Sequence, residues 1–206
     1  MDDHRILIDG LKLLLSGTPN IQLVAESNTA AELLLLLKTI EVDVLVTDIL
    51  MSEMDGYELV LAVKKQFPAI KTLALSMSEE GSMIEKMIDR AKVDGYIPKA
   101  SGKKELITAI QSVANGVPYF AESIKEQYES YKKLKTENKT LNLTNRELQI
   151  IQCIIHRLSN KDIAAKLFIS ERTVETHRKN IYRKTNTKGV ATLVEFVQLH
   201  QLVPNE

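Results

Sequence analysis

The sequence predicts two folded regions, a doubly wound α/β domain followed by an all-α four-helix domain of the helix-turn-helix type. Over residues 1–120, short apolar runs alternate with amphipathic helical segments, as in a parallel sheet with helices on both faces. From Leu143 onward the apolar residues recur only at helical spacing. Residues 121–141 are polar and charged, and they predict a semi-rigid helical linker. We therefore expect domains at 1–120 and 142–206, joined by the linker 121–141.

The elements of the first domain follow from the alternation of apolar runs and helical periods. Residues 43–47 (DVLVT) are apolar on both faces, as expected for a central strand of a covered parallel sheet. The predicted strands are 22–25, 43–47, 72–76 and 95–97. The predicted helices are 4–15, 29–39, 57–66, 82–92 and 103–115.

The helical domain begins with a capping signal. Thr144 and Glu147 have the spacing of a capping box, which predicts a helix over 147–156. A last helix is predicted over 191–201, and its apolar surface includes Leu199. Core packing explains most of that surface, and a dimer contact is the alternative for the remainder.

Between these helices, residues 159–184 predict two short helices joined by a tight turn, with Ser159 and Ser170 as their N-caps. The outer side of the second helix combines hydroxyl and amide groups, which suit base edges, with cations, which suit phosphates. A solvated basic face is the simpler alternative, but the clustering of cations on one capped helix favours DNA binding. The predicted DNA-contacting residues are Lys161, Ser170, Arg172, Thr173, Glu175, Thr176, His177, Lys179, Asn180, Arg183 and Lys184.

The charge distribution supports a nucleic-acid partner for the last domain. The chain has 27 Lys+Arg and 27 Asp+Glu, but residues 1–120 hold 12 basic and 17 acidic side chains, whereas residues 142–206 hold 10 and 6. This split indicates a regulated module joined to a nucleic-acid binder. Because the basic excess is modest, we expect dimerisation to assist binding.

Composition excludes several other classes of protein. The single cysteine, Cys153, rules out an internal disulfide framework, and its apolar helical setting indicates packing. No apolar run approaches the roughly 20 residues that span a membrane. Asp2 and Asp3 stand where a signal peptide would be cationic. We expect a cytoplasmic protein with no membrane partner.

Polar residues stand where the predicted strands end, and a doubly wound fold places its chemistry at that edge. Asp2 and Asp3 precede the first helix, Asp48 and Ser76 end strands, and Lys99 follows the last strand. Converging carboxylates repel each other unless a hard divalent cation such as Mg²⁺ lies among them. With the lysine and the hydroxyl, the set can support phosphoryl transfer to a carboxylate. The alternative for each residue alone is a cap or turn former.

Two groups of motifs occur in order along the chain, and together they resemble the NarL/FixJ (LuxR-type) response regulators of bacterial two-component systems. The receiver motifs are Asp2-Asp3-His4, Val44-Leu-Val-Thr-Asp48, Met54-Asp-Gly56, Leu73-Ala-Leu-Ser76 and Asp94-Gly-Tyr-Ile-Pro-Lys99. The effector motifs are Leu143-Thr-Asn-Arg-Glu147, Ser159-Asn-Lys-Asp-Ile-Ala164 and Ile169-Ser-Glu-Arg-Thr-Val-Glu-Thr-His177.

The resemblance implies a role for each residue of the acidic site. Asp48 would be the phosphoacceptor, Asp2 and Asp3 would help it hold Mg²⁺, and Lys99 would contact the phosphate. Ser76 and Tyr96 would be the switch residues. The implied partners are promoter DNA half-sites, a sensor histidine kinase and a second copy of the chain, with RNA polymerase as a further candidate.

The chain departs from the family pattern at several positions. The family begins with an apolar strand before the acidic pair, whereas Met1 directly precedes Asp2, so we expect a gap in the sheet beside 43–47. A late or trimmed start and a receiver without this strand both remain open. Ser52 replaces a usual proline, Lys92 stands where glycine is frequent, and Glu175 replaces a frequent lysine. A carboxylate at 175 should change which bases are recognised.

Three functions are compatible with these observations. The first is a transcription factor in which phosphorylation of Asp48 controls dimerisation and DNA binding. The second is a constitutive DNA-binding regulator with a degenerate, non-phosphorylated receiver. The third, an aspartyl phosphatase, would need a general acid and a substrate cap, and neither is apparent, so we expect no enzyme.

Overall fold

The computed structural model describes residues 1–51, 54–77 and 80–202. The chain divides into two compact units, Met1–Tyr131 and Lys132–Glu206. Across the described ranges, no helix is both long and apolar enough to cross a bilayer. Ser52, which replaces a usual proline of the family pattern, lies outside the described residues.

The first unit contains a parallel sheet whose strands follow their order in the chain. The strands are β1 Val44–Asp48, β2 Lys71–Ser76, β3 Gly95–Pro98 and β4 Tyr119–Phe120. The register places Asp48 opposite Leu75 and Ser76 opposite Pro98, so the polar strand ends lie at one edge of the sheet. The doubly wound fold class is confirmed, and β4 is an addition to the predicted strands.

Helices flank this sheet and enclose two apolar clusters. The helices are α1 Arg5–Leu15, α2 Ala30–Leu36, α3 Gly56–Gln66, α4 Gly81–Glu85, α5 Lys103–Ala114 and α6 Glu122–Thr140. A π-helical turn, Lys86–Arg90, continues α4. One cluster joins α2 and α3 to Leu45 of β1, and the other joins β2 and β3 to α5 and the start of α6. Lys92 has a φ of 56°, a left-handed conformation in which glycine would be unstrained.

The prediction of a strand at 22–25 is wrong, because these residues belong to no strand of the described sheet. β1, predicted to be central, lies at one edge of the described sheet, where β2 is its one strand neighbour. Met1 is hydrogen-bonded to this edge of β1: its amine donates to the Val46 carbonyl at 2.9 Å, and its carbonyl accepts from the Asp48 amide at 3.0 Å. A segment forms a β-strand only where a neighbouring strand accepts and donates its backbone hydrogen bonds. The apolar pattern of the segment itself does not show whether such a neighbour is present.

The second unit is helical, as predicted. After the end of α6 it contains α7 Asn145–Ile155, α8 Asn160–Leu167, α9 Glu171–Thr185 and α10 Val190–Leu199. Its core is built from residues of all four helices, including Ile150, Ile163, Ile181 and Leu193, which are fully buried. Cys153 is buried within this core. At the C-terminal end of α6, the Asn138 side-chain amide donates to the His200 carbonyl at 2.7 Å.

The capping signals of this unit are confirmed. Thr144 with Glu147 and Ser159 with Asp162 form complete capping boxes, and Ser170 caps α9 by accepting from the Thr173 amide at 3.1 Å. Phe168 makes the turn between α8 and α9 with a φ of 54°, and its ring is 95% exposed.

Candidate acidic site and nucleic-acid interface

Asp48 lies buried at the carboxyl end of β1, and both of its carboxylate oxygens are held. Oδ1 accepts from the backbone amides of Ile49 at 2.7 Å and Leu50 at 3.3 Å. Oδ2 lies 2.8 Å from the ammonium of Lys99. The carboxylate is therefore fixed in orientation, with one oxygen directed toward a cation.

Lys99 joins Asp48 to Asp2. Its backbone amide donates to the Ser76 carbonyl at 2.8 Å, which anchors the residue after β3, and its ammonium also lies 2.7 Å from Asp2 Oδ2. Burial alone lowers the pKa of this lysine, but its hydrogen bonds and charge attraction to Asp2 and Asp48 outweigh burial, and the pKa is raised. Lys99 is thus charged at neutral pH.

The donor set fits a hard divalent cation. One ligand atom from each of Asp2, Asp3, His4 and Asp48 lies within 4.8 Å of the others. Asp2 and Asp48 both contact the Lys99 ammonium, Asp3 lies beside them, and a cluster of carboxylates is a ligand set that a hard divalent cation favours. The structure therefore brings together Asp2, Asp3 and Asp48, the residues predicted from the sequence as metal ligands. His4, which sequence reasoning placed at the helix start, is also near, with Nδ1 2.9 Å from Asp3 Oδ1.

Gly56 supports the site, although the sequence motif that contains it assigns it no role. Its amide donates to the Ile49 carbonyl at 2.8 Å. A Cβ at Gly56 would lie 2.2 Å from the Asp48 carbonyl oxygen and 2.6 Å from the Ile49 Cα, so any side chain would displace the phosphoacceptor candidate. The signal in the sequence is the Asp-Gly pair where a helix follows a strand-end loop.

The two candidate switch residues lie on neighbouring strands. Ser76 is buried at the end of β2, and Tyr96 in β3 is the largest fully buried side chain of the described core. The Tyr96 carbonyl accepts from the Ala121 amide at 3.1 Å, immediately before α6 begins. The strand that carries Tyr96 is thus bonded directly to the start of the linker helix.

In the second unit, α9 presents an exposed face with a net positive charge. Arg172, Lys179 and Arg183 are exposed, and none of them is ion-paired with another described residue. Glu175 and Thr176 are exposed on the same helix, whereas Thr173, His177 and Asn180 are partly buried. Lys161 on α8 and Ser170 at the start of α9 are exposed as well.

Two basic residues of α9 are committed to internal contacts. Arg178, absent from the predicted set, donates to Asn160 at 2.9 Å and to the Tyr182 hydroxyl at 3.1 Å, and so ties α9 to α8. Lys184 lies 2.7 Å from the buried carboxylate of Glu147 and donates to the Asn142 carbonyl at 2.6 Å. Its contact with DNA stays a prediction, and the structure gives it an internal partner.

Comparison with known families decides the assignment. Residues 1–111 match the response regulator receiver domain, and residues 141–197 match the bacterial regulatory proteins of the luxR family. The chain is a two-component response regulator with a luxR-type DNA-binding domain. The resemblance inferred from the motifs is confirmed.

Relatives of this response regulator are matched along almost their full length. It is 32% identical to the nitrate/nitrite response regulator NarP of Escherichia coli, over 96% of this chain and 93% of NarP. It is 30% identical to the response regulator VraR of Staphylococcus aureus, over 98% and 96% of the two chains.

Among solved structures, the fold is similar to RcsB in its complex with DNA. That match has a TM-score of 0.66 and 21% identity, and it covers 96% of this chain and 95% of RcsB. The response regulator ChrA of a haem-sensing two-component system matches with a TM-score of 0.56 and 28% identity, over 98% and 96% of the two chains.

Proposed function

We propose that this response regulator is a transcription factor whose DNA binding is controlled by phosphorylation of Asp48. The observation that carries the proposal is the geometry of that carboxylate. It is buried at the strand end, one oxygen accepts two backbone amides, and the other faces the Lys99 ammonium at 2.8 Å. A carboxylate placed in this way can act as a nucleophile toward phosphorus while a fixed cation offsets the charge of the phosphoryl oxygens.

The donor would be a phosphohistidine of a sensor kinase. An oxygen of Asp48 attacks the phosphorus, the phosphorus–nitrogen bond breaks, and the histidine nitrogen keeps the electron pair and takes up a proton. Asp2, Asp3 and Asp48 would hold Mg²⁺, which when bound offsets negative charge on the phosphoryl group. Lys99 would exchange a carboxylate contact for a phosphoryl oxygen, and the Ser76 hydroxyl would bond another. Tyr96 would then reorient with the strand ends.

The output would be DNA binding by α9. The exposed cations Arg172, Lys179 and Arg183 would contact phosphates, and the exposed side chains of Glu175 and Thr176 would contact base edges. Thr176 donates its hydroxyl to the Arg172 carbonyl at 2.9 Å, so its oxygen is the group left for a base donor.

A second copy would supply the remaining affinity. The exposed apolar side chains of α10, Leu199 at 70% and Val190 at 43%, support dimerisation through this helix. Two copies would place two α9 helices on successive half-sites. RNA polymerase is a further proposed partner. We propose that residues 1–120, 121–141 and 142–206 are the functional segments of the chain. We also propose that the protein is a cytoplasmic regulator and not an enzyme.

The test is to locate the phosphoryl group. The full chain is incubated with acetyl phosphate and Mg²⁺, acyl phosphate is reduced with borohydride, and the modified residue is identified by peptide mass. We expect modification at Asp48 in the wild type and in Asp43→Asn, a control immediately before the same strand, and none in Asp48→Asn. A wild type without modification at Asp48 would contradict the proposal.

The second candidate is a constitutive regulator whose receiver is not phosphorylated. The edge of β1 opposite β2 favours it, because among the described residues Met1 is the one whose backbone is hydrogen-bonded to the strand on that side. This candidate requires equal DNA affinity for the wild type and Asp48→Asn, with or without a phosphodonor.

A further inference from the structure

Phe168, in the turn between α8 and α9, combines an unfavourable backbone conformation with an exposed ring. Its φ of 54° lies in the left-handed region, which is strained for a side chain as bulky as phenylalanine. The residue is 95% exposed, more than any other large apolar residue that the structure describes. Burial of the ring within the chain therefore does not offset the strain.

The residue types at comparable positions set Phe168 apart. Within the described ranges, the other non-glycine residues with a positive φ all have polar side chains, which water solvates: Asn20, Lys92, Asn142, Arg157, Asn186 and Gln201. An apolar ring gains no such solvation. A strained and exposed phenylalanine is therefore better explained by a contact with another molecule than by the fold of the chain.

The neighbours of Phe168 hold the turn in place and leave the ring outside the core. Leu167 and Ile169 both pack against the apolar core of the helical unit. The Ile169 amide donates to the Ala164 carbonyl at 3.0 Å, and the Arg146 guanidinium donates to the Leu167 carbonyl at 2.6 Å. Because the backbone on both sides is held, a partner that contacts the ring has little more than one side chain to order.

The position of the turn indicates that this partner is DNA. Phe168 comes two residues before Ser170, the N-cap of α9, and three residues before Glu171, where the helix begins. Three residues span at most roughly 11 Å. In a helix-turn-helix unit, the first helix crosses the DNA backbone and the N-terminal residues of the second contact base edges in the major groove. The ring of Phe168 is therefore within reach of the groove that the start of α9 would enter.

The major groove offers one apolar group to a side chain of this kind. The edge of thymine carries a C5-methyl group there, and apolar side chains, including phenylalanine, recognise it by contact. The exposed cation Arg172, in the first turn of α9, would contact a phosphate and hold this end of the helix on the DNA.

We propose that Phe168 recognises a thymine of the DNA half-site by packing its ring against the C5-methyl group. This inference rests on the proposed DNA binding by α9, and it does not depend on phosphorylation of Asp48. The contact removes apolar surface of both molecules from water, and it distinguishes thymine from cytosine, which has no methyl group at that position.

The test replaces each thymine of one half-site in turn by deoxyuridine, which lacks only the methyl group. The full chain is titrated with a duplex selected from a random pool, at one fixed salt concentration, with or without acetyl phosphate according to which condition gives tighter binding. At one thymine the replacement should weaken wild-type binding about fourfold, as expected for one buried methyl group. Phe168→Ala should bind more weakly and should not distinguish thymine from deoxyuridine at that position. Leu35→Ala, which removes an exposed leucine of α2, is the matched control and should behave as wild type.

Phe168→Gly separates a contact with DNA from a role in folding. Glycine adopts a positive φ without strain, so this variant should unfold at a temperature at least as high as wild type. It should nevertheless lose the sensitivity to deoxyuridine, as Phe168→Ala does. A purely structural role predicts that thermal stability and DNA affinity fall together in both variants.

The outcomes separate this inference from the proposed function. If the wild type selects no duplex from the pool, the proposed DNA binding is wrong and the inference is wrong with it. Binding by Phe168→Ala that is as tight and as sensitive to deoxyuridine as wild-type binding would overturn the inference alone. If Phe168→Ala binds DNA normally but no longer changes transcription from a promoter that carries the selected site, the ring contacts a protein and the inference is also overturned.

Discussion

Glu147 shows how a single carboxylate can serve two structural purposes. It completes the capping box of α7 by accepting from the Thr144 amide at 2.7 Å, and it pairs with Lys184 of α9 at 2.7 Å. Burial alone raises the pKa of Glu147, but the bonds from Lys184 and Thr144 outweigh burial and hold the pKa below its ordinary value of 4.5. The ionised carboxylate therefore stabilises the helical unit.

This pairing predicts a specific acid sensitivity. A carboxyl group with a lowered folded-state pKa contributes stability that is complete above 4.5 and is lost as the pH falls through the folded-state value. Glu147→Gln should lower the free energy of unfolding of the second unit by about 1–3 kcal/mol at neutral pH. The difference from wild type should shrink as the pH falls below 4.5. Urea unfolding of the full chain at several pH values measures it.

The control is Glu195→Gln, which removes an exposed carboxylate of α10 and should change stability little at any pH. A cost of Glu147→Gln that is the same at acid and neutral pH would show that shape, and not charge, is what Glu147 contributes.

Among the elements, β1 is the one whose surroundings depart most from expectation. The Lys71 amide donates to the Asp43 carbonyl, so residues 43, 45 and 47 face β2, while Val44, Val46 and Asp48 face the other edge. Met1 is hydrogen-bonded to the Val46 carbonyl and to the Asp48 amide. Within the described residues, the amides of Val44 and Val46 have no backbone partner.

Hydrogen exchange should therefore alternate along β1. The amides of Leu45 and Thr47 donate to β2 and should exchange slowly. The amides of Val44 and Val46 should exchange on the order of a hundredfold faster, because their exchange does not require the hydrogen bonds between β1 and β2 to break. Amide-resolved NMR measures this pattern in the full chain. Uniformly slow exchange at all four positions would mean that another segment, such as 22–25 or a second copy, covers the edge.

Most elements could be predicted from the sequence because their signals are local. The capping boxes at Thr144 and Ser159 and the apolar strand before Asp48 specify their structure within a few residues. The strand predicted at 22–25 failed because pairing depends on a distant neighbour. Strand β4 is two residues long and depends on β3 for its hydrogen bonds, so its own sequence carries little signal.

The residues of the candidate site could be predicted from the sequence, whereas the long-range side-chain contacts of the fold could not. Strand ends converge in a doubly wound fold, so Asp2, Asp48 and Lys99 could be placed together from their order alone. The inward pairing of Lys184 and the fit of Gly81 against Tyr131 depend on side-chain positions far apart in sequence. Helical periodicity identifies the face of a residue and not its partner.

At the scale of the whole molecule, the proposed input and output lie in different compact units. Asp48 belongs to Met1–Tyr131 and α9 to Lys132–Glu206, and α6 is the helix that runs from one into the other. The proposed control of DNA binding by Asp48 would therefore be a coupling free energy between sites in two different units. Such couplings usually change affinity by roughly 5- to 150-fold.

The central claim is tested most directly by the DNA affinity of the full chain before and after phosphorylation. A duplex selected from a random pool is titrated at one fixed salt concentration, since salt alone changes such affinities greatly. We predict that acetyl phosphate and Mg²⁺ tighten binding by wild type, and by the exposed-site control Asp9→Asn, about 5- to 150-fold, and leave Asp48→Asn unchanged. Equal affinity of the unmodified and the Asp48-phosphorylated wild type would contradict the account.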